Sequence, residues 1–319
     1  MRLLPFLSLF LIVLVSCSPS ISGRTTTEPI ANTASPADTV APLPTMTQTL
    51  TPKPATLRPS ITPPATIDEI SYSPDGKYVA QRYDVYGLAG KPVIQIFDGQ
   101  NKLLWEIPYQ DEMPTDYSRA LLSIYKWADD SSGLYFFYFA LSDPTYNFWD
   151  GLNLQKLDVR TGLIEKVIPG TQQISFAFSP DDANIAYARY EDTPRKLMIR
   201  NLSTNSDKNI NIDRSSLDDD LDIPSDDLIQ IGRIYWSPSG KHVLYHVGYG
   251  EHIWAYYLDT KTMTQKEILK FWLGDDYWLD GWTTDEQPRY RQLRQNSEVF
   301  VIDVNTGEVT MIGTATSIP

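Results

Sequence analysis

The chain has 319 residues, with 40 acidic against 27 basic side chains, a formal net charge of −13 and one cysteine. Because nucleic acids and anionic lipid headgroups bind to basic surfaces, this negative net charge excludes them as expected partners. One cysteine excludes an internal disulfide framework.

The N-terminus predicts export and a lipid anchor. An apolar run of thirteen residues (3–15) follows Arg2, too short for a transmembrane helix and suited to a signal peptide. The run ends in Leu14, Val15, Ser16 and Cys17, which resembles the lipobox of bacterial lipoproteins. The resemblance implies cleavage after residue 16, lipidation of Cys17 and an extracytoplasmic protein on the outer leaflet or periplasmic face of the membrane. The alternative is an ordinary signal peptide with an incidental cysteine, which the absence of any other thiol disfavours.

Residues 17–66 are predicted to form a disordered tether behind the anchor. Thr, Pro and Ser make up 27 of the 49 residues from 18 to 66, and no aromatic residue occurs there. Such a composition cannot bury enough apolar surface to fold, and its prolines favour extended segments. A spacer across a surface layer and a simple leader both fit this composition.

Two signals alternate through residues 67–319. The first is a tight turn, Ser-Pro-Asp-Gly at residues 73–76, which recurs at 179–182 and 237–240 and more weakly at 128–131 and 283–286. The second is a strand that ends in Asp or Asn before a polar turn; these residues are Asp98, Asp158, Asn201, Asp259 and Asp303. Repeats of about 50 residues made of short strands are typical of a β-propeller. An aromatic residue precedes each turn (Tyr72, Trp127, Phe178, Trp236 and Trp282), and we expect these side chains in the cores of the blades.

The repeat resembles that of TolB-like propellers, which also occurs in the propeller of the prolyl oligopeptidase family. We therefore predict an all-β fold, a β-propeller of about five four-stranded blades, without that family's hydrolase domain. Propellers of this kind commonly have six or seven blades; the one stretch for a sixth, residues 213–227, is very polar. The first blade is predicted at residues 68–73, 77–83, 93–98 and 102–107, and the fifth at 277–283, 289–293, 298–303 and 308–312. Because both end blades have four consecutive strands, we expect the last blade to pack against the first without exchanging a strand.

The longest predicted connections share one face of the propeller and suggest a ligand site. They carry aromatic residues beside carboxylates, a combination that suits a sugar, a cationic peptide or a quaternary ammonium group. The candidate ligand-binding residues are Tyr86, Tyr117, Tyr146, Trp149, Asp150 and Trp272. The alternative is that the aromatic side chains support the loops and the acids are solvated.

Two clusters are weak metal candidates. Asp218, Asp220 and Asp222 could bind calcium, although the sequence lacks the glycine and closing glutamate of an EF-hand loop. His242, His246 and His252 could meet across a hairpin and bind zinc. A solvated acidic loop and ordinary histidine packing are the alternatives, and no other cofactor is predicted.

The sequence contains no nucleophile elbow and no phosphate-binding loop. The first hypothesis is therefore a non-catalytic, membrane-tethered module that binds or scaffolds a protein, peptide or glycan. A second is an extracytoplasmic glycan hydrolase with carboxylates in the funnel of the propeller. A third is a subunit of an envelope complex with a protein partner.

Overall fold

The computed structural model describes residues 66–84, 92–109, 120–140, 148, 150–170, 173–212, 217, 229–272, 277–292 and 298–314. The signal peptide, Cys17, the tether up to residue 65 and the stretch 218–228 lie outside these ranges. No helix in the described ranges is long and apolar enough to cross a bilayer.

Within the described ranges, twenty strands form five blades in chain order. Blade 1 contains β1–β4 (Thr66–Tyr72, Tyr78–Asp84, Val93–Asp98, Leu103–Pro108). Blade 2 contains β5–β8 (Ala120–Trp127, Gly133–Ala140, Gly151–Asp158, Ile164–Lys166). Blade 3 contains β9–β12 (Gln173–Phe178, Asn184–Arg189, Lys196–Asn201, Ser206–Asn211). Blade 4 contains β13–β16 (Gln230–Trp236, His242–Tyr249, His252–Asp259, Thr264–Trp272). Blade 5 contains β17–β20 (Tyr277–Trp282, Pro288–Gln292, Glu298–Ile302, Val309–Thr314).

The all-β propeller fold with four-stranded blades is confirmed. Within each blade, every strand pairs antiparallel with the next one along the chain. The strands of blades 1 and 5 begin and end within two residues of the predicted positions. Both blades use four consecutive strands, so no strand is exchanged between the ends of the described chain.

Blades 2 and 3 differ from the expected pattern because they share one eight-stranded sheet. The start of β7 pairs with the start of β9, where Gly151 lies opposite Ile174 and Leu152 opposite Gln173. This pairing draws the connection before β7 towards the inner strand of blade 3.

Apolar residues pack between consecutive blades. Ala80 and Ile94 of blade 1 share a fully buried cluster with Leu122 and Leu134 of blade 2. Equivalent clusters join blade 2 to blade 3, blade 3 to blade 4 and blade 4 to blade 5. Sheets that stack face to face in this way bury both faces of the intervening blades, which is the main stabilising contribution expected for this fold.

The repeated turns are held by their own polar side chains. Ser73 Oγ accepts a hydrogen bond from the Tyr78 backbone N–H (2.9 Å) and donates one to Asp75 Oδ1 (2.8 Å). Asp75 Oδ1 also accepts the Lys77 N–H (3.0 Å). The fourth residue of all five turns has a positive φ: Gly76 70°, Ser131 59°, Asp182 54°, Gly240 71° and Glu286 59°. The two weak copies of the motif therefore form the same turn as the three strong ones.

The second signal is an Asx-type turn in every blade. One side-chain oxygen accepts two backbone N–H bonds from the residues that follow, at Asp98, Asp158, Asn201, Asp259 and Asp303. This local bond explains why Asp or Asn ends each of these strands.

Replacement of Gly162 by alanine is expected to destabilise the protein more than the same change at Gly307. Both glycines have positive φ (72° and 77°), so each substitution costs about 1 kcal/mol through the backbone. A Cβ at Gly162 would lie 2.3 Å from the ring of Trp105, whereas a Cβ at Gly307 meets nothing within 4 Å. We expect about 1–3 kcal/mol of additional loss for Gly162→Ala in urea unfolding of the full-length chain. Equal losses in the two variants would contradict close packing of Trp105 between blades 1 and 2.

Candidate functional site

A cavity of about 870 Å³ is lined by residues of blades 2 to 5, most of them on the inner strands. Blades 2 and 3 line it with Tyr125, Phe137, Phe139, Phe176, Ala177 and Phe178, together with Pro180 on the rim. Blades 4 and 5 line it with Ile234, Tyr235, Trp236, Leu279, Gly281 and Trp282. Its volume falls in the range of small-molecule sites, and eight of its fourteen lining residues are aromatic.

The aromatic residues before the repeated turns do not all lie in the blade cores. Trp127 is 5% exposed, as expected, but Tyr72 is 67% exposed. Phe178, Trp236 and Trp282 are half-buried: each packs against a core cluster and also lines the cavity. The expectation of blade core is therefore wrong for Tyr72, which is mostly exposed, and incomplete for these three residues, because one side of each ring packs on a core and another side borders the cavity.

The aromatic wall between blades 2 and 3 is a connected ring cluster. Tyr125 contacts Phe176 edge-on (centroids 5.0 Å apart) and stacks on Phe178 (5.5 Å). Burial, with smaller effects from Asp150 and Asp182, raises the pKa of Tyr125 to about 12, so its hydroxyl stays neutral at physiological pH. The contacts fix the ring orientations and present a preformed wall.

Asp150 carries the one charge among the described lining residues. Its Oδ2 accepts hydrogen bonds from the Phe176 backbone N–H (2.7 Å) and from Ser175 Oγ (3.0 Å). Its Oδ1 makes no hydrogen bond with the described residues, and no described lysine or arginine pairs with it. The carboxylate therefore has one oxygen available to a ligand.

The environment of Asp150 disfavours its charged form. Desolvation raises its pKa to about 6, against the opposing effect of the Phe176 and Ser175 hydrogen bonds. The side chain is nevertheless solvent-accessible, because the cavity brings water to one side while protein surrounds the others. A carboxylate with a raised pKa in a cavity is a frequent feature of functional sites.

Phe148, two residues before Asp150 in the chain, is buried in the core between blades 4 and 5. It belongs to the connection between β6 and β7 of blade 2, yet it is 4% exposed and packs against Leu244, Phe271 and Tyr290 in the core between blades 4 and 5. Two glycines of blade 4 admit it: a Cβ at Gly232 would lie 1.9 Å from the Phe148 carbonyl oxygen, and one at Gly248 would lie 2.4 Å from its ring. Close approach of this kind requires glycine.

The structure places the predicted ligand-binding residues in different parts of the molecule. Asp150 lies in the cavity, whereas Trp272 lies at the end of β16, 52% exposed, with its ring centroid 4.3 Å from that of His252. Tyr86, Tyr117, Tyr146 and Trp149 lie outside the described residues, so their part in a site stays a prediction. Sequence reasoning misses most of the cavity wall, because apart from Asp150 and Pro180 the wall comes from strands of the blades and not from the long loops.

The structure does not bring the three histidines to one site. His246 is fully buried, its Nε2 lies 2.9 Å from Tyr290 Oη, and desolvation lowers its pKa to about 3. His242 Nδ1 bonds Glu286 Oε2 (3.0 Å), while His252 lies beside Trp272. The hairpin pairs His246 with Ala255 and His252 with Tyr249, so the rings are separated along the strands.

The described residues contain no group of three or more His, Cys, Asp or Glu side chains placed to hold a metal ion. Asp218, Asp220 and Asp222 lie outside these residues, and the calcium hypothesis for that loop stays a prediction.

No protein-family model matches the sequence, and no curated protein matches it. Similar solved structures include TolB from Acinetobacter baumannii (12% identity, TM-score 0.42), covering 77% of this chain and 53% of that one. They also include Porphyromonas gingivalis dipeptidyl peptidase 4 (12% identity, TM-score 0.47), where the match covers 78% of this chain and 40% of that one. A third is the periplasmic gluconolactonase PpgL of Pseudomonas aeruginosa (11% identity, TM-score 0.44), where it covers 77% of this chain and 69% of that one. The chain thus spans about half the length of the first of these proteins. At such low similarity, the fold assignment rests on the sheet order and packing described above.

Replacement of Asp150 by asparagine is expected to stabilise the protein above pH 6 and to have little effect below pH 4. The folded state holds the Asp150 proton more tightly (pKa about 6 against 3.8), so wild-type stability falls as the pH rises through this window. Asparagine keeps an oxygen for Ser175 and Phe176 but does not titrate. Melting temperatures of both proteins between pH 3.5 and pH 8 would measure the difference.

Asp130→Asn is the matched control with the opposite sign. Hydrogen bonds from Ser132 lower the pKa of Asp130, so ionisation of Asp130 stabilises the wild-type fold, and the control should become less stable than wild type as the pH rises. Parallel profiles for wild type and Asp150→Asn would contradict the desolvated state of Asp150.

Proposed function

We propose that this protein is a lipid-anchored, extracytoplasmic binding module that holds a ligand in the central cavity of its propeller. The observation that carries the proposal is the cavity with its aromatic wall and one carboxylate, of which one oxygen has no partner among the described residues. The ligand is a small molecule or the end of a peptide or glycan, as the volume permits.

The positioning of Asp150 supports binding as the role of the cavity. Hydrogen bonds from Ser175 and the Phe176 backbone hold the carboxylate in the cavity, where desolvation destabilises its charged form. A carboxylate that remains in a site where desolvation destabilises its charged form is typical of residues retained for function. In a purely structural cavity, an apolar residue at this position would pack without that loss.

The N-terminal sequence supports the location. A signal peptide, a cysteine in a lipobox-like context and a Thr/Pro-rich segment would place the propeller outside the cytoplasm, at a distance from the membrane. In that setting the module would meet envelope proteins, glycans and small solutes.

One observation favours the alternative of a glycan hydrolase. A carboxyl group with a pKa near 6 suits a general acid, and Asp150 has this property. The reaction requires a second carboxylate about 5–10 Å away. The described lining provides no second acid, so binding is the better-supported function.

A thermal-shift screen of the full-length chain tests the binding role. The panel contains calcium, zinc, cell-wall glycans, cationic peptides and small ammonium compounds, and it is repeated on Pro180→Trp, in which a large side chain obstructs the rim. The matched control is Pro74→Trp, at the same exposed turn position of blade 1, away from the cavity. A ligand at a hundred times its Kd stabilises by about 2.7 kcal/mol, which is easily measured.

We expect one class of compound to raise the melting temperature of wild type and Pro74→Trp but not of Pro180→Trp. A shift that persists in Pro180→Trp would locate the site elsewhere. The absence of any shift would remove small-ligand binding and favour the hypothesis of a protein partner.

Replacement of Cys17 by serine is expected to abolish lipid attachment and release the protein from the membrane. Several acyl chains on one residue give stable anchoring, and no other cysteine is present. Palmitate labelling and membrane fractionation in a bacterial host would measure both effects, with Ser16→Ala as a control that keeps a small residue before the cleavage site. Undiminished membrane association of Cys17→Ser would contradict the anchor.

A further inference from the structure

We infer that the cavity binds the quaternary trimethylammonium group of a cationic ligand, held between aromatic rings and the Asp150 carboxylate. This inference rests on the proposed function and names the chemical class of the ligand. Three features of the cavity carry it: its charge, its aromatic walls and the small number of hydrogen-bonding groups among its described lining residues.

Asp150 is the one charged residue of the described lining, and no described ion pair includes it. Asp150 pairs with no described lysine or arginine, although the neighbouring Lys126 lies on the same inner strand as Tyr125. Lys126 bonds Asp182 instead. A ligand cation would therefore supply the partner that the protein does not provide for Asp150.

The walls of the cavity present ring surfaces from four blades. Tyr125, Phe178, Trp236 and Trp282 come from blades 2, 3, 4 and 5, so aromatic side chains surround the space on several sides. Ring faces carry negative potential and attract cations, most strongly when the cation is desolvated. Phe178 already interacts in this way with Lys126, whose Nζ lies 4.6 Å from the ring centroid.

Among the described lining residues, the polar side-chain groups are the Asp150 carboxylate, the hydroxyls of Tyr125 and Tyr235 and two indole N–H groups, which is few for a sugar or a primary ammonium. Asp150 Oδ2 is occupied by two donors, which leaves Oδ1 as its open acceptor. The Trp236 indole N–H donates a hydrogen bond to the Ala177 carbonyl oxygen (2.9 Å). A primary ammonium has three N–H donors to satisfy, and a sugar has hydroxyl groups on every side, so both would lose hydrogen bonds on entry. A quaternary trimethylammonium group has no N–H donor, so it loses no such hydrogen bond on entry.

Isothermal titration of the full-length chain with choline tests this inference. The comparison ligand is 3,3-dimethyl-1-butanol, which has the same shape as choline but no charge. The detergent is a maltoside, which has no ammonium headgroup. The variants are Asp150→Asn, which removes the charge at constant shape, and Trp282→Leu, which keeps an apolar wall without the ring. Asp130→Asn is the control for loss of a carboxylate outside the cavity, and melting curves verify that each variant is folded.

We expect choline to bind at least about tenfold more tightly than the neutral alcohol, and Asp150→Asn and Trp282→Leu each to weaken choline binding by about tenfold or more. Asp130→Asn should bind as wild type does. Equal affinities for the two ligands, both abolished by Pro180→Trp, would overturn the inference and leave the binding function intact. If neither ligand binds, the cationic class is wrong, and the wider panel then decides the proposed function independently.

Discussion

The structure depends on how the ends of the inner strands fill the space in which the blades converge. Each inner strand ends in an aromatic residue followed by a tight turn, and the turn is satisfied by its own serine and aspartate or by equivalent groups. Trp127 is accommodated completely in a core. In blades 3, 4 and 5 the corresponding side chains pack on one side only, and their other side remains on the cavity. The same residues thus stabilise the blades and form the wall of the candidate site.

The second constraint is the crossing of Phe148 from blade 2 to the core between blades 4 and 5. The pairing of β7 with β9 brings this connection to the centre, and the absence of side chains at Gly232 and Gly248 lets the phenylalanine enter. Asp150 follows two residues later and is carried into the aromatic cavity. Its hydrogen bonds to Ser175 and Phe176 hold the carboxylate but do not offset its desolvation, as the raised pKa indicates. The charged form of Asp150 therefore lowers the free energy of unfolding above pH 6, and the fold keeps a carboxylate at this position despite that loss.

The sequence was sufficient for the fold because the two repeated turns are local structures with local causes. Pro, Asp and Gly set the turn at residues 73–76 without help from distant contacts, and spacing identified the same turn at residues 128 and 283. The joining of blades 2 and 3 could not be foreseen, since it depends on a pairing between residues 151–152 and 173–174.

The candidate site is predictable only in part. Asp150 was identified because acids and aromatics cluster in its loop, but the wall at Phe178, Trp236 and Trp282 was assigned to the core. An alternating strand pattern shows which residues share a face, not whether the opposite blade is close enough to cover them. For the histidines, strand periodicity placed His242 and His246 on one face, but register then separated them from His252.

The central claim is that Asp150 and the aromatic rings form one site for a cation. Binding and protonation at one site are linked, so a cation that contacts the carboxylate must favour its charged form. The most direct measurement is the pKa of Asp150 from ¹³C NMR of aspartate-labelled protein, with its signal assigned by comparison with Asp150→Asn, in the absence and presence of saturating choline. The account predicts a pKa near 6 in the free protein and a clear fall towards that of an ordinary aspartate when choline is bound. An Asp150 pKa that choline leaves unchanged would contradict it.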